Sequence, residues 1–138
     1  MRACIVIPAR YKSTRFPGKP LTPLIGKPMI LWVAELSARA VGKSNVYIAT
    51  EDNRIKTEIE KNGFNVIMTS DKALTGTDRV AEASKQIDSD IFLNVQGDEP
   101  WVMPEDIIKI RDVKLSNKDM IVNGFTWIAN NENPENVN

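Results

Sequence analysis

Histidine is absent from this sequence of 138 residues, and cysteine occurs once, at Cys4. Without histidine the chain cannot form a Ser-His-Asp triad, a Cys-His pair or a histidine-ligated zinc site. A single cysteine excludes a disulfide within the chain, and its place in an apolar run predicts a small buried side chain. Any metal ion must therefore be held by carboxylates and other oxygen ligands, which favours Mg²⁺, Mn²⁺ or Ca²⁺.

Long hydrophobic runs are also missing. No apolar segment approaches the roughly 18 residues of a membrane-spanning helix, and no signal-peptide pattern follows Met1. We therefore expect a cytoplasmic protein without a membrane partner. A hydrophobic content of 42% and a charged content of 26% are typical of a globular chain, and the length favours one domain.

Charge is distributed unevenly along this chain of zero net charge. Residues 1–43 contain eight basic side chains and one acid, Glu35. Four of these cations lie in one acid-free loop after the first apolar run, namely Arg10, Lys12, Arg15 and Lys19. Such a cluster predicts an anionic partner. Because the cations occupy a loop, without a basic helix or a row of aromatic residues, the sequence favours a small phosphorylated ligand over nucleic acid.

Predicted strands and helices alternate along the chain. The strands are expected at 3–7, 45–50, 65–68, 90–95 and 120–129, and the helices at 28–40, 53–62, within 75–87 and at 104–113. Thr77 or Asp78 is the expected N-cap of the third helix. This alternation predicts an α/β fold with a mostly parallel sheet, and strand 90–95 is apolar enough for a central position. The polar run 130–138 has no periodicity and is not expected to close the fold.

Two segments rich in charged residues follow predicted strands, and we expect them to meet at the carboxyl ends of those strands. They are the basic loop and the segment QGDEP, residues 96–100. Ligands bind beyond the carboxyl ends of parallel strands in such folds. Phosphate oxygens suit the planar guanidinium groups of Arg10 and Arg15 and the compact charge of Lys19. Asp98 suits a hard cation that bridges to the same oxygens. The plainer alternatives are a solvated basic loop, a turn aspartate and, for the segment TGTDR at 75–79, a simple helix cap.

Familiar phosphate-binding motifs do not explain the basic loop. The fingerprint G-x-G-x-x-G is absent, and the segment PGKP, residues 17–20, is not a P-loop because Pro20 stands where a Ser or Thr would hold Mg²⁺. Recognition would therefore depend on side chains, in a loop that Pro17 and Pro20 stiffen and whose Gly18 permits close approach.

Three segments together resemble a known family. IPARYKSTRFPGKPL (7–21), TGTDRVAE (75–82) and NVQGDEP (94–100) are similar, in order and spacing, to the amino-terminal half of the 3-deoxy-manno-octulosonate (Kdo) cytidylyltransferases, or CMP-Kdo synthetases. The resemblance covers residues 1 to about 127. It implies a nucleotide-diphospho-sugar transferase-like (Rossmann-like) fold, a three-layer sandwich around a mostly parallel mixed sheet. It also implies an enzyme that couples CTP to Kdo, with release of pyrophosphate, for lipopolysaccharide synthesis.

The same resemblance assigns expected roles to individual residues. The nucleotide-binding set would be Ala9, Arg10, Ser13, Arg15, Lys19, Thr77 and Arg79, in which Ala9 offers its backbone to the cytosine. Gln96 would face the sugar acid and Asp98 would bind Mg²⁺. Arg15, Lys19 and Asp98 would be the catalytic residues, with the two cations stabilising the departing pyrophosphate.

The family extends beyond the part that matches. The resemblance therefore implies that residues 1–138 are the nucleotide-binding part of a single nucleotidyltransferase domain, whose carboxy-terminal part is absent. The second metal-binding aspartate, most of the sugar pocket and much of the homodimer interface would lie in that part. We expect the 138-residue chain alone to be inactive.

Other functions stay open at this point. A hexose-1-phosphate nucleotidyltransferase would carry a GGxGTR-like first loop, which Pro8-Ala9-Arg10 does not match. A CMP-sialic-acid-type synthetase is closer, although QGDEP in place of a QPTSP-like run favours Kdo. The chain could also be a non-catalytic nucleotide-binding module. Pyrophosphate release from CTP and Kdo distinguishes an enzyme from a module that only binds CTP.

Overall fold

The computed structural model describes residues 1–125 and contains six strands, four α-helices and two short 3-10 helices (Lys19–Leu21 and Lys43–Asn45) in that range. The strands are β1 (Ala3–Pro8), β2 (Pro23–Leu24), β3 (Lys27–Pro28), β4 (Val46–Thr50), β5 (Asn65–Met68) and β6 (Ile91–Asn94). The helices are α1 (Met29–Val41), α2 (Asn53–Lys61), α3 (Gly76–Ser84) and α4 (Pro104–Ser116).

Four of the strands form one sheet, in the order β5-β4-β1-β6. Every neighbouring pair is parallel; Ile5 of β1, for example, lies opposite Val46 on one side and Leu93 on the other. The predicted α/β fold with a mostly parallel sheet is therefore confirmed. Within residues 1–125, β6 has β1 as its single neighbour, so it lies at the edge of the described sheet and not at the expected centre.

Both faces of the sheet are covered, which gives the three-layer arrangement expected from the sequence. Side chains of β1 alternate between the faces: Ile5 and Ile7 pack with α1, α2 and α4, whereas Cys4 and Val6 pack with α3. Full burial of an isoleucine side chain stabilises a fold by about 1.5–3 kcal/mol. Cys4 is 3% exposed, as predicted, and burial raises the pKa of its thiol, which keeps it protonated near neutral pH.

Most predicted boundaries hold to within one residue, with three exceptions. Helix α4 continues to Ser116, beyond the predicted end at 113. The N-cap of α3 is Thr75 and not Thr77 or Asp78; its hydroxyl accepts the N–H of Asp78, whose carboxylate accepts the N–H of Thr75 in return. The predicted strand at 120–129 is wrong where it is described, because residues 120–125 form none. Its remainder, with the run 130–138, lies outside the described residues.

A short hairpin, β2–β3, was not predicted. Its turn places Ile25 and Gly26 at positive φ, 49° and 82°, as a two-residue type I′ turn requires. The indole N–H of Trp32 on α1 donates to the Leu24 carbonyl at 2.6 Å, which holds the hairpin against that helix. None of the helices within residues 1–125 has the length and apolar character needed to cross a membrane.

Candidate active site

A cleft of about 330 Å³ opens beyond the carboxyl ends of the parallel strands. Three segments form it: the basic loop after β1, the residues that lead into α3, and the loop after β6. These segments approach closely at glycines. A Cβ at Gly76 would lie 3.2 Å from the Pro8 side chain, and one at Gly97 would lie 2.8 Å from the Pro8 carbonyl oxygen. The topology therefore brings together segments that are far apart in the sequence.

The cleft gathers most of the residues singled out from the sequence. Its lining includes Ala9, Arg10, Ser13, Arg15, Lys19, Arg79, Gln96 and Asp98. Thr77 is exposed and does not line the cleft, where Thr75 and Gly76 are found instead. The expected meeting of the basic loop with Asp98 at one edge of the sheet is confirmed.

Tyr11 anchors the base of the basic loop. Its carbonyl accepts the N–H of Gly18 at 2.9 Å, which closes the loop, and Gly18 adopts a φ of 71°. A Cβ at Gly18 would lie 3.0 Å from the Tyr11 ring, so a larger residue does not fit there. The Arg54 guanidinium lies 3.3 Å from the centre of the same ring. The loop is therefore closed at its base, while its cations are exposed.

The cations of the loop differ in their partners. Within the described residues, Arg10, Lys12 and Arg15 form no ion pair with a carboxylate, whereas Lys19 Nζ lies 3.0 Å from Asp98 Oδ2 across the cleft. About half of each side chain in that pair is exposed, 48% for Lys19 and 53% for Asp98. Exposed pairs contribute about 0–1 kcal/mol, so a ligand can displace this one at little cost. Arg10 and Arg15 remain free to bind an anion.

Gly97 sets the position of Asp98 relative to β1. We expect Gly97→Ala to push the loop after β6 away from Pro8, because backbone at 2.8 Å cannot give way as a flexible side chain does. Overpacking of this kind typically costs about 1–3 kcal/mol of folding free energy. Thermal unfolding and titration with CTP, the ligand expected from the sequence, measure the effect.

The matched control is Glu99→Ala, which alters an exposed neighbour in the same loop without adding an atom near β1. A Gly97→Ala protein with unchanged stability and CTP affinity would contradict the close-approach argument.

Within residues 1–125, Asp98 is the one carboxylate that lines the cleft, so a divalent cation there would need further oxygen ligands. No group of three or more histidine, cysteine, aspartate or glutamate side chains within residues 1–125 is placed to form a metal cage. Mg²⁺ is commonly bound by one or two carboxylates, substrate phosphates and water. One carboxylate beside cations that suit phosphate fits a Mg²⁺ ion that Asp98 would hold together with oxygen atoms of a ligand.

Arg79 lines the cleft, but its guanidinium already has partners within the protein. Its side chain is 3% exposed, and its Nη1 donates to the Thr69 hydroxyl and, at 3.2 Å, to the Ser70 carbonyl. The same nitrogen lies 3.2 Å from Oε2 of Glu51, a residue that the sequence had not indicated. Glu51 directly follows β4, at the end of the sheet where the basic loop and the loop after β6 also begin. That position is the sequence feature that could have indicated it.

Sequence comparison places the chain in a family. The family described as cytidylyltransferase matches residues 4–138. The 8-amino-3,8-dideoxy-manno-octulosonate cytidylyltransferase of Shewanella baltica (strain OS185) is 43% identical over 138 residues, which are 96% of this chain and 56% of that protein. The chain therefore spans about half the length of the curated relatives it matches.

Comparison with solved structures agrees. A CMP:2-keto-3-deoxy-manno-octonic acid synthetase complexed with CTP superposes with a TM-score of 0.83 and 39% identity, over 87% of this chain and 50% of the other. A cytidylyltransferase from Leptospira borgpetersenii superposes with a TM-score of 0.76 and 28% identity, over 86% and 51% of the two chains. The match over residues 4–138 and the identity to the Shewanella enzyme lead to one conclusion: this chain belongs to the cytidylyltransferase family.

Proposed function

We propose that this protein supplies the nucleotide-binding half of an enzyme that couples CTP to Kdo, giving CMP-Kdo and pyrophosphate for lipopolysaccharide synthesis. The observation that carries the proposal is the arrangement of charge in the cleft. Arg10 and Arg15 form no ion pair within residues 1–125, and they line the same cleft as the ion pair Lys19–Asp98. Free cations opposite one carboxylate suit a polyphosphate that arrives with a divalent cation.

Each part of the cleft has a place in binding CTP. Arg10, Arg15 and Lys19 bind the triphosphate, with Ser13 beside them, and the backbone of Ala9 faces the cytosine. Gln96, which is exposed at the far side of the cleft, faces the sugar acid. Arg79 lines the same cleft, and its guanidinium is also held by Glu51, Thr69 and Ser70. It shapes the wall of the cleft.

The reaction we propose is an in-line displacement at the α-phosphorus of CTP. The anomeric hydroxyl of Kdo attacks, the new oxygen–phosphorus bond forms as the bond to the β-phosphate oxygen breaks, and the hydroxyl proton passes to water. Catalysis of this type depends on positioning and charge stabilisation, and it requires no covalent enzyme intermediate. Arg15 and Lys19 stabilise the charge on the departing pyrophosphate.

Mg²⁺ is the proposed cofactor, held on the protein side by Asp98. When bound, it would supply neutralisation of phosphate charge and a fixed geometry for the polyphosphate. In the structure Lys19 Nζ lies 3.0 Å from Asp98 Oδ2, so a cation at that oxygen would displace Lys19.

The sugar acid has a second candidate. The Shewanella baltica relative is named for 8-amino-3,8-dideoxy-manno-octulosonate, whereas the structure superposed at a TM-score of 0.83 is a synthetase for the 2-keto-3-deoxy acid itself. The two sugars differ at carbon 8, which carries an amino group in the first and a hydroxyl group in the second. Parallel assays with both sugars decide between them.

The test of the proposed function is pyrophosphate release by the longest natural chain that contains this sequence, supplied with Mg²⁺, CTP and either sugar. We expect release with CTP and not with UTP or ATP. CTP binding without release would support the non-catalytic module instead, and no CTP binding would overturn the proposal. Size-exclusion chromatography of the same protein tests the proposed homodimer.

A separate expectation concerns residues 1–138 alone. The relatives and solved structures that match are about twice as long, and within residues 1–125 the cleft offers one carboxylate for a metal. A transition state that develops charge on phosphate needs preorganised partners on all sides. We expect no detectable pyrophosphate release from the 138-residue chain, assayed beside the full-length Shewanella baltica relative as positive control. Comparable rates for the two would contradict this expectation.

A further inference from the structure

We propose that Glu51 is a positioning residue that fixes the phosphate-binding loop, an inference that rests on the proposed function. Glu51 contacts the base of the basic loop and the start of α3 at the same time. Its side chain is 9% exposed, and its carboxylate connects the basic loop to α3. It is absent from the lining of the cleft, so it acts through its neighbours and not on a ligand.

The first contact is with the loop. Glu51 Oε1 accepts the backbone N–H of Tyr11 at 3.0 Å, immediately after the first cation, Arg10. Tyr11 also closes the loop by accepting the N–H of Gly18, next to Lys19. The backbone of one residue thus links Glu51 to both ends of the loop, and the positions of Arg10 and Lys19 depend on it.

The second contact is with Arg79. Glu51 Oε2 lies 3.2 Å from Arg79 Nη1, yet it receives no hydrogen bond of good geometry within the described residues. The guanidinium nitrogen instead donates to Thr69 and Ser70, so Glu51 provides the compensating charge. A buried arginine that loses its counter-charge is costly, whereas replacement of both partners by apolar groups is often tolerated.

These two contacts can be separated by a matched pair of variants. Glu51→Gln/Arg79→Met and Glu51→Met/Arg79→Met both remove the buried ion pair. They differ in whether residue 51 still offers an oxygen to the N–H of Tyr11. Both are made in the longest natural chain that contains this sequence, and CTP and CMP affinities are measured by calorimetry together with thermal unfolding.

We expect the Met/Met protein to bind CTP about tenfold more weakly than the Gln/Met protein, the effect of one lost backbone anchor. CMP affinity should change much less, because in the proposed function the cations of the loop bind the departing pyrophosphate, which CMP lacks. A purely structural role for Glu51 would lower the unfolding temperature and weaken both nucleotides equally. Equal CTP affinities, or equal losses for CTP and CMP, would overturn the proposal.

Two controls make the result interpretable. Glu82→Gln removes a carboxylate that ties Ser70 to α3, at 2.6 and 2.9 Å, without touching the basic loop; it should leave CTP affinity within about twofold. Failure of the wild-type protein to bind CTP would count against the proposed function and not against Glu51. If the double variants do not fold, amide exchange of the wild type decides: the Tyr11 N–H should exchange as slowly as the amides of β1, and exchange as fast as an exposed loop amide would overturn the proposal.

Discussion

Asp98→Asn should reduce pyrophosphate release from CTP and Kdo by about 100-fold or more, with little loss of fold stability. The substitution keeps the shape of the side chain and removes the charge that a hard cation needs. Asp98 is 53% exposed and lies in the loop after β6, outside both hydrophobic cores, so its change leaves the packing intact. Steady-state rates at several Mg²⁺ concentrations, with thermal unfolding as the stability measure, provide the test.

The control for Asp98 is its neighbour. Glu99→Gln makes the same chemical change one residue away, on an exposed side chain that does not line the cleft. It should therefore keep turnover near that of the wild type. Normal turnover by Asp98→Asn would show that the carboxylate is a turn residue that serves only as a partner for Lys19.

Local sequence patterns predicted most helices and strands, because a strand that is buried on both faces of a parallel sheet is a continuous apolar run. Strand β1 is a continuous apolar run, and its alternate residues fill the two cores. Gly42 is the C-cap of α1 and Asp52 is the N-cap of α2, close to the predicted bounds at 40 and 53. The hairpin β2–β3 was missed because Ile25 takes a φ of 49° at a position where Asn, Asp or Gly is the usual signal.

The site was predicted where single segments carry the chemistry, and less well where partners come from elsewhere. The basic loop and Asp98 each follow a strand, and the parallel topology necessarily brings them to one edge. The resemblance assigned Arg79 to nucleotide binding, but nothing in its own segment indicates its partner Glu51, which lies 28 positions earlier in the sequence (79 minus 51). Thr77 was assigned by motif, but the capping box places Thr75 at the start of α3 and leaves Thr77 exposed.

Lys19→Ala should weaken CTP binding by about 1–3 kcal/mol, the range for charge-assisted contacts to phosphate. Lys19 lines the cleft at its boundary with Asp98, and its removal has two consequences. The phosphates lose a cation, and the carboxylate of Asp98 loses the partner that now lies 3.0 Å away. An uncompensated carboxylate repels a polyphosphate, so the loss of affinity should be larger without Mg²⁺ than with it.

Calorimetric titration with CTP, with and without Mg²⁺, measures both consequences. Lys12→Ala is the matched control, because Lys12 belongs to the same loop but does not line the cleft with Lys19. It removes one positive charge from the same region, and its effect should be small and disappear as salt screens the field. The Lys19 deficit should persist at high salt, since a direct contact is screened less than a distant charge. If Lys19→Ala binds CTP as the wild type does, Lys19 lies outside the phosphate site and the cations at 10 and 15 must hold the nucleotide without it.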